Sequence, residues 1–388
     1  MSTAVLDSRE RAVLIESARD FARKEVAPQV GTYDREERLP ADLIRATAGP
    51  GWLGAAVPEQ YGGSGLDWVS FASLIEELSR VCHIIGLAVS MPSGLVGGGI
   101  LRYGSEAQKQ TYIRPLVAGE TFAGAGVTEP GSGTAVADMT TTCRHIDGGY
   151  VIRGAKAWIS MLEHAAWFLT FARLEGTTGR QGVCAFVVEA DSDGLGRVPY
   201  KNKLGFRPLS TGDLVLDDVF VPAANRVGEE GQGYAVAMAA VETGRLSVAA
   251  RALGLAQASL DASVKYATER TVMGQQIGRY QLVQGKITEM VTGVESARHL
   301  IADLAADKDA GIERPRRRAS LAKMHASNVA MAAATSAVQI HGAYGISEDY
   351  PVARYFRDAK VFQIVEGNNE LHTAMIAEYA LGYREQDR

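Results

Sequence analysis

The sequence predicts an α+β protein: an N-terminal helical domain, a central antiparallel β-domain (a barrel or sandwich) and a C-terminal four-helix-type bundle. Apolar residues recur at helical spacing over residues 1–120 and alternate with a period of two over 121–225. Helical spacing returns over 226–388, in Ala-rich stretches longer than an ordinary globular helix. No helical pattern is interleaved with the strand-like runs, which argues against a parallel sheet.

The elements follow in order. Asp7 or Ser8 is placed to cap a first helix in which Leu14, Ala18, Phe21 and Ala22 share a face, with Pro28 past its end. Gly62, Gly63 and Gly65 follow no strand, so they read as a turn and not as a phosphate cradle. Helical spacing restarts from Phe71 to Arg80. In the central zone the runs 167–172, 183–188 and 213–216 are aromatic and β-branched, divided by turns such as Asp147-Gly148-Gly149. Beyond residue 230, the segments Gly233–Thr268, Gln281–Lys308 and Arg317–Ile340 are separated by short breaks, the pattern of antiparallel neighbours in a bundle.

Composition excludes more than it identifies. The 388-residue chain carries a net charge of −5 with its Lys and Arg dispersed, which argues against a nucleic-acid surface. The densest basic run, Arg314 to Arg318, reads as a solvated interhelical loop. Cys82, Cys143 and Cys184 lack paired spacing and read as buried thiols of a reducing compartment. The N-terminal segment has no apolar signal region, and no window has the length needed to cross a bilayer, so a cytoplasmic protein without a membrane partner is expected. The His residues show no HxxxH or HExxH spacing, so no metal site is expected, and no GxGxxG follows a predicted strand.

Chemistry concentrates in a few segments. Glu366 precedes Gly367 in an otherwise apolar turn (Val361 to Gly367). A carboxylate in such surroundings has its charged form disfavoured and becomes a usable base near neutral pH. The stretch from Thr128 to Thr134 combines hydroxyls with Gly131 and Gly133, which lets backbone N–H groups approach a phosphate or ring edge closely. Trp158 and Ser160 then place a large aromatic beside a hydroxyl on a strand. Arg270 lies in Glu269-Arg270-Thr271-Val272-Met273-Gly274, and a guanidinium fork suits a diphosphate.

These segments, together with Val338-Gln339-Ile340-His341-Gly342-Ala343-Tyr344-Gly345, the Leu204–Arg207 segment and the Asp218–Pro222 segment, resemble the acyl-CoA dehydrogenase family over nearly the whole chain. The resemblance implies FAD as cofactor. Thr128 and Ser160 would meet the edge of the flavin ring, Gly133 and Thr134 the pyrophosphate, and Trp158 would flank the ring. Arg270, Met273, Gln339 and Gly342 match positions that reach the cofactor of a neighbouring subunit, which implies a homo-oligomer, a tetramer or a dimer. Met273 departs from the family's usual Phe. Glu366 would take the α-proton of an acyl thioester, with Gly367 and Arg245 beside the substrate. Some members carry the base directly before the Arg matching Arg245, but here that position is Gly244, and Glu242 would point elsewhere on the helix.

The implied reaction is α,β-dehydrogenation of an acyl-CoA, with electrons passing to an electron-transfer flavoprotein. Asn368 where Thr is usual, Met161 where Asn is usual and the glycine-rich stretch Met91–Gly99 point to an atypical acyl group or carrier. One alternative is dehydrogenation of an acyl group tethered to an acyl-carrier-protein in natural-product (polyketide extender unit) biosynthesis. An acyl-CoA oxidase and, from another class, a non-catalytic scaffold paralogue are the others.

Overall fold

The computed structural model describes residues 5–312 and 314–385. Asp7 caps α1 (Ser8–Phe21): its carboxylate accepts from the N–H groups of Arg9 and Glu10, and Glu10 accepts from Asp7 N–H in return. Ala18 and Ala22 of the expected face are fully buried. Gly62 and Gly65 form the expected turn, both in the left-handed region. It leads to α2 (Trp68–Ser90), capped by Asp67 and lined with buried apolar residues along most of its length. The glycine-rich stretch closes into α3 (Gly97–Tyr103). A Cβ at Gly97 would lie 1.8 Å from the Pro92 carbonyl oxygen, so close backbone packing accounts for that glycine.

Strands β1 (Phe122–Gly126), β2 (Thr142–Ile146), β3 (Gly149–Ser160), β4 (Ala165–Leu174), β5 (Val183–Glu189), β6 (Leu195–Pro199), β7 (Thr211–Pro222) and β8 (Arg226–Val227) form one sheet. Its order is β6-β7-β3-β2-β4-β5-β8, with β1 beside β4. Most pairings are antiparallel, as expected, but β1 and β2 run parallel to β4. The cause is topological. Reversals at 147–148 and 161–164 return the chain to its first direction, so β4 must run with β2. β1 pairs with residues 165–170 of β4 and β2 with residues 173–174, so both lie along one edge and the loop 127–141 is an excursion between them. The sheet closes over an inner layer of Ile152, Phe186, Val188, Leu216 and Val219.

The third zone holds α4 (Gly233–Glu269), α5 (Gln281–Asp309), α6 (Arg316–His341), α7 (Val352–Phe362) and α8 (Asn369–Ala380). A short hairpin, β9 (Thr271–Val272) with β10 (Gln275–Gln276), links α4 to α5. α4 packs along both α6 and α2, so the N-terminal helical zone and the bundle share one core. The basic run differs from expectation. Arg316, Arg317 and Arg318 begin α6, where Arg316 pairs with Glu242 at 3.3 Å and Arg318 with Asp307 at 2.7 Å. Among the described residues no helix is long and apolar enough to cross a membrane, and the three cysteines are buried and free.

Candidate active site

Between α7 and α8 the chain turns through Glu366 (φ 57°) and Gly367 (φ 88°), two successive left-handed residues. Glycine adopts this conformation freely, whereas a glutamate there stores roughly 1–3 kcal/mol of strain. Donors from three helices hold the turn. Arg245 of α4 directs Nε at the Glu366 carbonyl oxygen (3.4 Å) and His372 of α8 directs Nε2 at the same oxygen (3.2 Å). Lys323 of α6 donates to the Gly367 carbonyl at 2.7 Å. Asn368 caps α8, its side-chain oxygen accepting from Leu371 N–H at 2.8 Å. A capping role explains Asn in place of Thr without reference to the acyl group, because both residues cap helices well.

The Glu366 residue is partly buried. Burial pushes its pKa up to about 7, against the opposing pull of Arg245, Arg251 and Lys323. A Cβ at Gly244 would lie 2.7 Å from the Glu366 carboxyl carbon. A side chain at position 244 would therefore occupy the place that the Glu366 carboxyl takes, and glycine leaves it free. Glu242 turns away to Arg316, as its helical offset predicts. Arg245 is buried.

Three site residues escaped the sequence reading. Lys323 and His372 have no exposed surface, and burial presses their pKa values down to about 8 and about 3. Arg251, also buried, sits beside the paired rings of Phe206 and Phe362 at 5.2 and 5.3 Å and donates to the His83 carbonyl at 3.0 Å. Its place seven residues beyond Gly244 on α4 puts both on one helix face, the one signal in the sequence that could have found it.

The β-domain brings Thr128, Gly133, Thr134, Trp158 and Ser160 to the region of the 127–141 loop and β3. Ala157 N–H donates to the Thr128 carbonyl at 2.8 Å, tying the loop to the strand. Beneath it lies a buried ion pair, Lys156 Nζ to Glu129 Oε1 at 2.8 Å. Glu129 also accepts from Thr140 N–H, Thr140 Oγ1 and Thr141 N–H. These partners hold its pKa down to about 2 despite burial, while burial lowers that of Lys156 to about 8. Trp158 occupies a bulge of β3 at φ 61°, and its side chain is 62% exposed with Tyr200 edge-on at 4.7 Å. Gly133 and Thr134 are exposed, with nothing within 4 Å of a Cβ on Gly133, and Ser160 is half-buried. Met161 lines a small apolar cavity of about 10 Å³ with Met91, Pro92 and Val96, so part of the glycine-rich stretch faces a space large enough for one water molecule.

The bundle presents the second set. Arg270 follows α4 with its guanidinium 5.9 Å from the Tyr344 ring. Met273 is 90% exposed at the hairpin tip, and Gln339 and Gly342 (φ 61°) lie exposed at the end of α6. The hairpin and the 342–346 turn share no substantial contact with strands β1–β8 in one chain.

The acyl-CoA dehydrogenase N-terminal, middle and C-terminal domain models match residues 8–120, 124–219 and 231–381. An acyl-CoA dehydrogenase of Bacillus subtilis (strain 168) is 39% identical over 97% of this chain and 99% of its own. The structure of a glutaryl-coenzyme A dehydrogenase in complex with glutaryl-CoA aligns with a TM-score of 0.96 at 35% identity, covering 100% of this chain and 98% of the other. That of the prolyl acyl carrier protein oxidase AnaB aligns with a TM-score of 0.92 at 28% identity, covering 97% and 99%. With three domain models in register, near-complete coverage and the same fold, the chain belongs to the acyl-CoA dehydrogenase family of FAD-dependent oxidoreductases.

Proposed function

We propose that this chain dehydrogenates an acyl thioester between its α- and β-carbons, with Glu366 as the base. The observation that carries the reading is the place of the Glu366 carboxyl group, where a side chain at position 244 would also reach, in a setting whose burial pushes its pKa up to about 7. A carboxylate with that pKa is ionised in useful amount at neutral pH and holds a proton far better than one in water. The α-proton passes to Glu366, the β-hydrogen leaves as hydride, and the C=C bond of the enoyl thioester forms. FAD supplies the two-electron acceptor for the hydride.

The residues present fit that cofactor. A tryptophan is held outward on a strained bulge, and open space surrounds Gly133 where a pyrophosphate would approach. Thr128, Ser160 and Trp158 would hold the ring, and Gly133 and Thr134 the pyrophosphate. Glu366 N–H has no hydrogen-bond acceptor among the described residues, so it is available to a thioester carbonyl as negative charge develops on that oxygen. Arg245 and Gly367 border the same point. Arg270, Met273, Gln339 and Gly342 would complete the flavin site of a second copy, which makes the working enzyme an oligomer. An electron-transfer flavoprotein is the proposed acceptor.

Likeness to the prolyl acyl carrier protein oxidase supports a second reading, in which the acyl group rides on a carrier protein or oxygen is the acceptor. Anaerobic titration of the purified yellow protein with acyl-CoAs, and with the same acyl groups on a carrier protein, tests the carrier, and the rate at which air reoxidises the bleached flavin tests the acceptor. Bleaching of the oxidised flavin by an acyl-CoA is expected. Bleaching by carrier-bound groups alone would select the second reading, and none by either would leave the scaffold. Glu366→Gln should retain FAD and ligand binding yet abolish α-proton exchange; retained turnover would remove Glu366 from the role of base.

A further inference from the structure

We propose that Lys323 is a positioning residue of the base turn: it fixes the Gly367 carbonyl and the Asn369 side chain so that Glu366 keeps its N–H and carboxylate turned to the substrate. The inference rests on the reading of Glu366 as base.

Lys323 has no exposed surface and, among the described residues, no carboxylate within ion-pair distance. A buried ammonium without a counter-charge is costly unless oxygen acceptors surround it. Both acceptors present belong to the base turn: the Gly367 carbonyl at 2.7 Å and Asn369 Oδ1 at 2.9 Å. The amide is itself oriented, because its nitrogen donates to Ser327 Oγ at 3.0 Å and Asn328 Oδ1 at 2.8 Å. Asn369 therefore turns its oxygen to Lys323. The network staples the turn to α6 while Arg245 and His372 hold the preceding carbonyl from α4 and α8. With the carbonyls of 366 and 367 both engaged on the protein side, the intervening left-handed backbone has one orientation left.

A cap alone would not need a charge. The charged groups that face Glu366 are Arg245 and Arg251 from α4 and Lys323 from α6, while Glu370 and His372 of α8 flank Lys323. Burial alone would leave the carboxyl protonated at neutral pH, and the cations oppose it. Lys323 thus keeps the base ionised as well as placed, and the two roles separate experimentally.

The test is a pH-difference infrared titration of the resting flavoprotein, with the Glu366 carboxyl band assigned by its loss in Glu366→Gln. Alongside it runs the pH profile of flavin bleaching by straight-chain acyl-CoAs of four to eight carbons. In Lys323→Met the carboxyl midpoint should rise by about one pH unit. Bleaching at pH 7 should slow by about 10²-fold, with FAD content and melting temperature close to wild type. Lys323→Arg, which keeps the charge, should restore the midpoint. In Asn369→Leu, with Lys323 in place, bleaching should slow while the midpoint stays. A wild-type midpoint and rate in a flavinated Lys323→Met protein would overturn the proposal; should that variant not fold, Lys323→Gln carries the same comparison. Turnover surviving in Glu366→Gln would instead overturn the base assignment and this inference with it.

Discussion

Glu366 combines a left-handed backbone with a desolvated carboxylate, and the second cost has a pH signature. Its folded pKa, about 7, lies above its ordinary value of 4.5. The native state therefore binds more protons than the unfolded one between those values, and stability falls as pH rises through that window. Below pH 4.5 this group costs nothing, and above about 7 it costs on the order of 3 kcal/mol, at about 1.4 kcal/mol per pKa unit. Glu366→Gln should remove that slope, so in chemical denaturation at pH 5 and pH 8 the wild-type minus mutant stability should fall towards pH 8. A difference independent of pH would contradict a neutral-range titration. The same ionisation sets the acid limb of catalysis, where rate should rise with pH to a midpoint near 7. Glu366 and Gly244 were legible in the sequence because each occupies a recognisable motif position. Lys323 and His372 were not, because an interior lysine and histidine in helical segments acquire their roles only when α6 and α8 close over the turn.

The loop between β1 and β2 shows what sequence patterns convey about an element and what they leave out. Alternating runs disclosed the strands, and the hydroxyl- and glycine-rich composition disclosed the loop. The parallel run of β1 and β2 on one edge of β4 follows from chain reversals, which periodicity does not encode. Nor does it encode the bulge that turns Trp158 outward, since alternation alone assigns a strand residue to one regular face. The long helices were the easier case: Gly233–Thr268 was expected and Gly233–Glu269 is found. The Glu129–Lys156 pair was also invisible, being 27 residues apart in sequence and fully enclosed in space. Removing one partner strands a buried charge, so Lys156→Met should cost about 3–5 kcal/mol. The double change Glu129→Gln with Lys156→Met should recover part of it. Because this pair underlies the Thr128–Trp158 region, FAD release from the single mutant should accelerate together with the stability loss. Urea denaturation with flavin fluorescence reads both, and a single mutant as stable as the double would show that the pair is not coupled.

At the scale of the molecule, the two halves of the proposed flavin site share no substantial contact within one chain. The bundle half is apolar where solvent would meet it. Met273 in the hairpin is 90% exposed, Leu282 86%, Ile346 79% and Tyr344, beside Arg270, 51%. Tyr280 Oη donates to the Val272 carbonyl at 2.9 Å, fixing the start of α5 against the hairpin. Large apolar side chains exposed to this extent are what an association surface presents. Two-fold pairing would supply this face to the β-domain of a second copy and the reverse, giving two equivalent sites from one contact. Assembly and cofactor retention should then fail together. Met273→Asp places a charge in the exposed hairpin and should yield a smaller species by sedimentation that loses FAD on gel filtration. Arg270→Ala, which leaves the apolar face intact, should weaken FAD retention with a smaller effect on assembly. A Met273→Asp protein that sediments as a monomer yet keeps its full flavin would show that each chain completes its own site.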